Sequence, residues 1–306
     1  MSKNNSVALV SYPTSGQLPV CMTNDLLFHY LLQDTDHPNI LKGIISSFFD
    51  ISFDDIKSAF VENPITYGED FSAKEMVLDV KALLNNARII NLEMQVLNHE
   101  NWPERSISYL CRCFDNLESG EGYINVKGAY HIGFLDYTLF PESPEFFAQY
   151  VIQNKKTNQL YSTKFGIDVV DLTKIDLATD EDRMHNRHLW ASFFKATTWE
   201  EIHMLATQDK NIQSAAEKLG ILSADKKLRD EIWARQDWLR CQIDMRTYFE
   251  TQIAEKEATI AEDKATIAEK DAAIAEKNAS ILRKDAEIEK YVAFLLSKGF
   301  NLDDIK

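Results

Sequence analysis

The chain lacks several features that would place it in a familiar class of protein. No apolar run in its 306 residues reaches the roughly 18 residues that a membrane-spanning helix needs. The first residues, Met1 to Ser6, show neither the apolar segment nor the cleavage site of a secretory signal peptide. A Walker loop, a Rossmann glycine fingerprint and a nucleophile elbow are also missing. We therefore expect a cytoplasmic protein without a membrane partner. Its function should not depend on any of these three motifs.

Cysteine is scarce, and its spacing does not suggest a metal site. The four cysteines are irregularly placed, which fits a reducing compartment. Cys111 and Cys113 lie two residues apart in a helical context, so they point to different faces and make a poor zinc pair. Cys21 and Cys241 have no ligand-type neighbours at metal spacing. We expect all four to be core or surface thiols.

Positive charge is also in short supply. The chain has 33 basic and 48 acidic residues, a net charge of −15, and the acidic excess persists when residues 246–306 are set aside. Binding to phosphate groups is driven by Lys and Arg, so an acidic protein starts from an unfavourable field. A DNA-binding protein of this charge must concentrate its bases locally or rely on a metal ion, and its binding should be weak and salt-sensitive.

The most informative stretch runs from Met76 to Val96 and predicts a β-hairpin. Two apolar, partly β-branched runs flank Asn85-Asn86, and asparagine tolerates the positive φ that tight hairpin turns require. Because strand side chains alternate between faces, Asp79 shares a face with Lys81 and Glu93 shares a face with Gln95. A turn at the two asparagines would set Asp79 roughly opposite Glu93.

Two carboxylates held that close repel each other unless a cation lies between them or one takes a proton. A hard ion such as Mg²⁺, bound by one or two carboxylates together with water and phosphate oxygens, suits this arrangement. The alternative is that these polar residues form the wet face of an amphipathic hairpin.

The amino-acid sequence of the hairpin resembles that of a known nuclease family. Leu78-Asp79-Val80-Lys81 and Ile90-Asn91-Leu92-Glu93-Met94-Gln95-Val96 are similar to the PD-(D/E)xK core of the recombination-promoting nucleases, also called PD-(D/E)xK nuclease family transposases. This is the branch in which glutamine replaces the usual lysine. The resemblance extends from about Thr23 to Phe140, and more loosely to about Arg235.

The resemblance implies an α/β fold, with a restriction-endonuclease-like core built on a mixed sheet. It also implies a Mg²⁺-dependent DNA endonuclease, with Mn²⁺ as a substitute, linked to DNA recombination, mobile elements or phage defence. Asp79 and Glu93 would hold the metal, and Gln95 would stand where a lysine normally acts. From its place on the Asp79 face, we infer that Lys81 could supply the missing positive charge.

Three further positions are candidates for the site, and a fourth departs from the family pattern. Asp25 is either an acid contributed to the metal site by the first helix or part of that helix's N-cap. His29 stands where the family usually has a lysine. Arg105 and Arg112 lie seven residues apart on one face of a predicted helix from Trp102 to about Asn116. They either face solvent or contact phosphate, and Arg105 matches a recurring family position.

Other residues of the core are expected to be structural. We predict that the helix after Trp102 buries Ile107, Leu110, Cys111 and Phe114. The run from Tyr130 to Tyr137 predicts a central strand, with His131 as a structural histidine. Residues 148–154 and 165–171 predict a hairpin that extends the sheet. His185 and His188 have a spacing that can place two ligands together, but no third ligand accompanies them.

The carboxyl-terminal part predicts a long helix. We divide the chain into a leader (1–22), a nuclease core (23–178), an α-helical region (179–250), a heptad-repeat coiled coil (251–290) and a terminal cap (291–306). Isoleucine recurs every seven residues in the repeat, at Ile253, Ile260, Ile267, Ile274, Ile281 and Ile288. A period of seven predicts a left-handed coiled coil. One large apolar residue per heptad gives only a modest drive to form a homo-oligomer.

Two other functions remain open. The acidic balance, the glutamine in place of lysine and the repeat would also suit a catalytically weak or inactive nuclease-fold protein, which binds DNA or assembles through its coiled coil. A metal-dependent enzyme acting on another phosphoester, such as RNA, is a third hypothesis.

Overall fold

A computed structural model describes residues 12–62, 80–98 and 100–301. Its centre is a six-stranded mixed sheet with the strand order β1-β2-β3-β4-β6-β5. The strands are β1 (Ala59–Val61), β2 (Val80–Leu84), β3 (Arg88–Gln95), β4 (Gly128–Leu135), β5 (Phe147–Val151) and β6 (Phe165–Asp171). The predicted α/β class with a mixed sheet is confirmed.

The predicted hairpin is formed by β2 and β3. Asn85 and Asn86 occupy the turn with φ values of 48° and 56°, in the left-handed region that asparagine tolerates better than most residues. The two strands are antiparallel, and their described register begins with Val80 opposite Leu92. Asp79 directly precedes Val80 in the sequence and lies outside the described residues.

The centre of the sheet is parallel. The strands β3, β4 and β6 run in the same direction, and β5 pairs antiparallel with β6 at one edge. This confirms both the central position of the strand that contains His131 and the hairpin near residues 148–171. Parallel strands require coverage on both faces, which explains why β4 is buried along almost its whole length.

Eight α-helices surround or follow the sheet in the described part of the chain. They are α1 (Asp25–Leu32), α2 (Asn39–Phe48), α3 (Trp102–Phe114), α4 (Asp180–Met184), α5 (Arg187–Lys195), α6 (Trp199–Ala206), α7 (Lys210–Ala224) and α8 (Lys226–Ser297). Asn24 caps α1 by accepting a hydrogen bond from the backbone N–H of Leu27. The predicted capping box of Thr198 and Glu201 is present at the start of α6.

One face of the sheet packs against the main helical layer. Phe134 on β4 contacts three aromatic rings from three helices, at centroid distances between 5.1 and 5.6 Å: Phe28 of α1, Phe48 of α2 and Phe194 of α5. All four side chains are fully buried. The largest hydrophobic core of the protein therefore lies on this face.

The helix α3 covers the opposite face, but with a different stripe from the one predicted. Leu110 is buried as expected, and Phe114 is half-buried. Ile107 and Cys111 are exposed, and Trp102, Ser106 and Cys113 are buried instead. The reason lies at Gly133 on β4, where a Cβ atom would stand 2.1 Å from the Trp102 ring. The glycine makes room for the indole, and this contact fixes the rotation of α3.

The chain divides into two compact units, residues 1–241 and 242–306. In the second unit the helix continues to Ser297, so the residues predicted as a terminal cap prolong the helix up to that point. The six repeat isoleucines are exposed over 52–58% of their surface. Within the described residues, no helix is both long enough and apolar enough to cross a membrane.

Candidate active site

Glu93 is the buried carboxylate at the centre of the candidate site. It lies near the carboxyl end of β3, paired with Gly133 of β4, and its side chain points to the face covered by α3. Only 3% of its surface is exposed. A buried carboxylate is costly unless it is paired and hydrogen-bonded, so its neighbours determine what it can do.

Arg105 supplies the positive partner from α3. Its Nε and Nη2 donate to the same oxygen, Oε1 of Glu93, over 2.9 and 2.8 Å. The Arg105 and Arg112 guanidinium groups both lie over the ring of Tyr109, at 5.2 and 5.7 Å from its centroid. The two arginines therefore share one face of α3, as predicted, and both guanidinium groups contact the ring of Tyr109.

His131 contacts the other oxygen of Glu93. Its Nε2 lies 3.7 Å from Oε2, and its Nδ1 lies 3.0 Å from the side-chain nitrogen of Asn91 on β3. The imidazole is fully buried. Burial, together with the smaller effect of the Arg105 charge, lowers the pKa of His131 to about 3. The ring is therefore neutral at physiological pH.

Tyr137 also belongs to this cluster. Burial raises the pKa of its phenol, and the negative charge of Glu93 adds to that effect, while Arg105 opposes it. The hydroxyl therefore stays protonated near the carboxylate. Sequence reasoning did not select Tyr137, although it stands two residues after the end of β4, where chemistry-bearing residues of parallel sheets often lie.

Gln95 and Lys81 lie on the same face of the hairpin as Glu93, in agreement with the period of two. The side-chain nitrogen of Gln95 donates to the carbonyl of Leu97 over 2.9 Å. The side-chain oxygen of Gln95 is the atom of this amide that could bind a cation or accept a hydrogen bond from water. Lys81 is paired with Asn91 in the strand register, and its Nζ forms an ion pair with Glu62 at 3.0 Å.

Asp25 makes a different contact from the one that a metal ligand would make. Its carboxylate accepts hydrogen bonds from the guanidinium of Arg235 on α8, with Nη2 at 2.6 Å from Oδ2 and Nε at 3.1 Å from Oδ1. The helix that carries Asp25 packs on the face of the sheet opposite to Glu93. The N-cap role belongs to Asn24, and Asp25 ties α1 to the start of α8.

The two remaining histidine candidates lie in a structural network. His185 lies 3.5 Å from Asp50, which also accepts a hydrogen bond from Arg187. Burial lowers the pKa of His188. Across the described residues there is no group of three or more His, Cys, Asp or Glu side chains that could hold a metal ion.

The ligand atoms available at Glu93 are of the type that binds a hard divalent cation. Carboxylate and amide oxygens are the ligands that Mg²⁺ prefers, and Glu93 and Gln95 supply both from one strand. Arg105 occupies Oε1 in this conformation, so a cation at that oxygen would have to displace the guanidinium or share the carboxylate with it.

A mixed sheet with this strand order, covered on both faces and carrying the buried Glu93 with the half-buried Gln95 two residues on, defines an α/β nuclease-like core. The chain belongs to the PD-(D/E)XK nuclease family transposases, whose family model matches residues 22–252. The match starts three residues before α1 and ends within α8, so it spans the whole sheet. Comparisons with curated proteins and with solved structures returned no significant match.

Proposed function

We propose that the protein is a metal-dependent DNA endonuclease that hydrolyses phosphodiester bonds at Glu93. Membership of a nuclease family supports the reaction class. The observation that carries the proposal is a buried carboxylate on the strand that bears the family's Glu-x-Gln, next to an arginine that can neutralise it. Its role in DNA recombination, mobile elements or phage defence is proposed from the family alone.

Asp79 and Glu93 would hold the cation, Mg²⁺ or in its place Mn²⁺. Asp79 is proposed because it directly precedes Val80, the first described residue of β2. When bound, such a cation lowers the pKa of a coordinated water and offsets charge on the phosphate. Gln95 would position water through its amide, and Lys81 would add positive charge on the same face. Asp25 remains a candidate ligand of the cation only if its ion pair with Arg235 breaks.

DNA would reach the site along the exposed side of α3. Arg105 and Arg112 flank Tyr109 there, which concentrates two positive charges in a chain whose net charge is −15. Because so few bases are available, counterion release contributes little affinity. We expect weak DNA binding, strongest at low salt.

The exposed isoleucine stripe of α8 would join copies of the chain. Isoleucine recurs with period seven over six heptads, which allows a left-handed coiled coil between two or more helices. Self-association would set two catalytic units on one DNA molecule, which suits a family named for transposases. The homo-oligomer is a proposal independent of the chemistry at Glu93.

The test is cleavage of supercoiled plasmid at low salt with Mg²⁺ or Mn²⁺. The wild type should nick the plasmid, EDTA should stop it, and Asp79→Asn and Glu93→Gln should each lose most of the activity. Glu104→Gln is the matched control, since Glu104 is an exposed glutamate in the first turn of α3.

Nicking that survives Glu93→Gln would refute the assigned site. If no variant and no wild-type sample cleaves plasmid or single-stranded DNA with any of several metals, the endonuclease proposal fails. The assembly role of the coiled coil then becomes the leading account. Cleavage of RNA in place of DNA would favour the third hypothesis.

A further inference from the structure

We propose that His131 is a positioning residue for Glu93, an imidazole that directs its Nε2–H at Oε2 of that carboxylate. This inference rests on the proposed function of Glu93. It assigns a role to a residue that the sequence pattern alone marks only as part of a central strand.

The hydrogen bonding of the ring determines which nitrogen carries the proton. The side-chain nitrogen of Asn91 can only donate, and it lies 3.0 Å from Nδ1 of His131. Nδ1 is therefore the acceptor, and the ring carries its proton on Nε2. Nε2 in turn faces Oε2 of Glu93 at 3.7 Å, so a donor meets a negative charge.

Packing fixes the plane of the ring. The indole of Trp102 lies on one side, with a centroid distance of 5.2 Å, and Tyr109 stacks at 6.2 Å with an interplanar angle of 9°. Both rings come from α3, whose rotation is set by the contact of Trp102 with Gly133. The imidazole therefore has little freedom to turn its proton away from Glu93.

The two oxygens of Glu93 thus face different residues. Arg105 donates twice to Oε1, and His131 approaches Oε2 from β4. In known metal sites, groups that orient a ligating carboxylate contribute 10–100-fold to metal affinity or activity. Arg105 can leave the carboxylate when a cation arrives, whereas His131 is buried within the sheet and cannot. His131 should therefore keep Glu93 oriented in both states.

Direct proton transfer to substrate is not the role that this geometry allows. The imidazole is fully buried, and within the described residues Nε2 has no hydrogen-bond partner that could relay a proton to solvent. A buried nitrogen aimed at a carboxylate acts on that carboxylate. We therefore describe His131 as positioning, not catalytic.

The experiment compares His131→Phe with His131→Gln in the full chain. Phenylalanine keeps the ring volume between Trp102 and Tyr109 but removes the donor, whereas glutamine keeps an N–H donor. Mn²⁺ binding is measured by calorimetry without DNA, beside circular dichroism to confirm folding. We expect His131→Phe to bind Mn²⁺ about tenfold more weakly than wild type, with His131→Gln recovering most of the loss. Equal affinity in wild type and His131→Phe would overturn the proposal.

A second measurement, made first on the wild type, depends neither on the folding of the His131 variants nor on metal binding. The ¹⁵N spectrum of the histidine rings in the wild type reports which nitrogen of His131 is protonated. The proposal requires Nε2–H with a bare Nδ1, and in Asn91→Leu the spectrum should shift toward a mixture of tautomers. Protonation on Nδ1 in the wild type overturns the assignment. Failure of the wild type to bind Mn²⁺ counts against the proposed function, and the ring spectrum then decides the role of His131 alone.

Discussion

Arg105 donates two hydrogen bonds to a single oxygen of Glu93, from Nε over 2.9 Å and from Nη2 over 2.8 Å. The guanidinium therefore occupies the oxygen that a divalent cation would approach. A positive side chain and a metal ion at the same oxygen repel each other, so the protein should exchange one for the other. Metal loading and release of Arg105 toward a phosphate are then two parts of one event.

Replacement of Arg105 tests this exchange. Arg105→Gln removes the positive charge beside Glu93. The Glu93 side chain is 4% exposed, whereas about a third of the Arg105 side chain is exposed. We expect a loss of about 2 kcal/mol in the free energy of unfolding without metal, less than for a fully buried pair. Mn²⁺ should then stabilise the variant more than it stabilises the wild type, because ligand binding adds stability by mass action.

Denaturant unfolding with and without Mn²⁺ measures both effects. Arg112→Gln is the matched control, because Arg112 lies over the same ring of Tyr109. It should change stability by less than about 0.5 kcal/mol, as expected for a surface substitution. An equal response of Arg105→Gln and wild type to Mn²⁺ would show that Arg105 and the cation do not compete.

The ion pair of Asp25 and Arg235 should matter for folding. Their side chains are 14% and 8% exposed, and they are separated by 210 residues in the sequence. Asp25→Asn should lower the free energy of unfolding by about 2 kcal/mol, since it removes the carboxylate that accepts hydrogen bonds from a largely buried guanidinium. Metal affinity should stay within twofold of the wild type. A loss of Mn²⁺ binding with unchanged stability would restore Asp25 to the metal site.

Asp168 makes stability depend on pH. It is buried on β6, and burial raises its pKa to about 7, although Gln149 and Arg187 act in the opposite direction. Between about pH 4 and 7 the unfolded chain has released this proton and the folded chain still holds it. Stability therefore falls as pH rises through this range, by at most about 1.4 kcal/mol per unit.

The variant Asp168→Asn lacks the titrating group and isolates its contribution. From pH 4 to pH 7 the wild type should lose stability relative to the variant, and above pH 7 the difference in their unfolding free energies should stay constant. Chemical denaturation at several pH values gives this difference. A difference that stays constant with pH would mean that Asp168 is ionised in the folded protein throughout.

The isoleucine stripe should drive self-association. Ile267→Asn with Ile274→Asn removes two seam residues, and the weight-average mass in sedimentation equilibrium should fall toward that of one chain, 35.1 kDa. Glu269→Asn with Glu276→Asn is the control, because it places the same residue type about 200° around the helix from the seam. A single-chain mass for the wild type at all concentrations would refute the homo-oligomer.

Local patterns predicted the elements that local chemistry determines. The two asparagines fixed the hairpin turn, because few other residues adopt a positive φ at such low cost. Alternation along β3 placed Glu93 and Gln95 on one face, and the composition of the repeat predicted a long helix there. These features depend on residues close in sequence, and a single chain is enough to read them.

Contacts between distant residues could not be predicted in the same way. The stripe of α3 was wrong because Gly133, about thirty residues after Trp102, decides which side of the helix meets the sheet. The partner of Asp25 lies in α8, and the neighbours of His131 depend on the parallel register of β3 and β4. Register between parallel strands is set by the packing of the whole layer, and no local signal encodes it.

The most direct test of the central claim is a crystal of the wild-type protein grown with Mn²⁺, measured by anomalous scattering at the manganese edge. The proposed function predicts an anomalous peak about 2.1 Å from a carboxylate oxygen of Glu93, the distance expected for a small hard cation. Arg105 should have moved off Oε1 in the same map. A fully occupied Mn²⁺ site elsewhere, with Glu93 still bound to Arg105, would contradict the account.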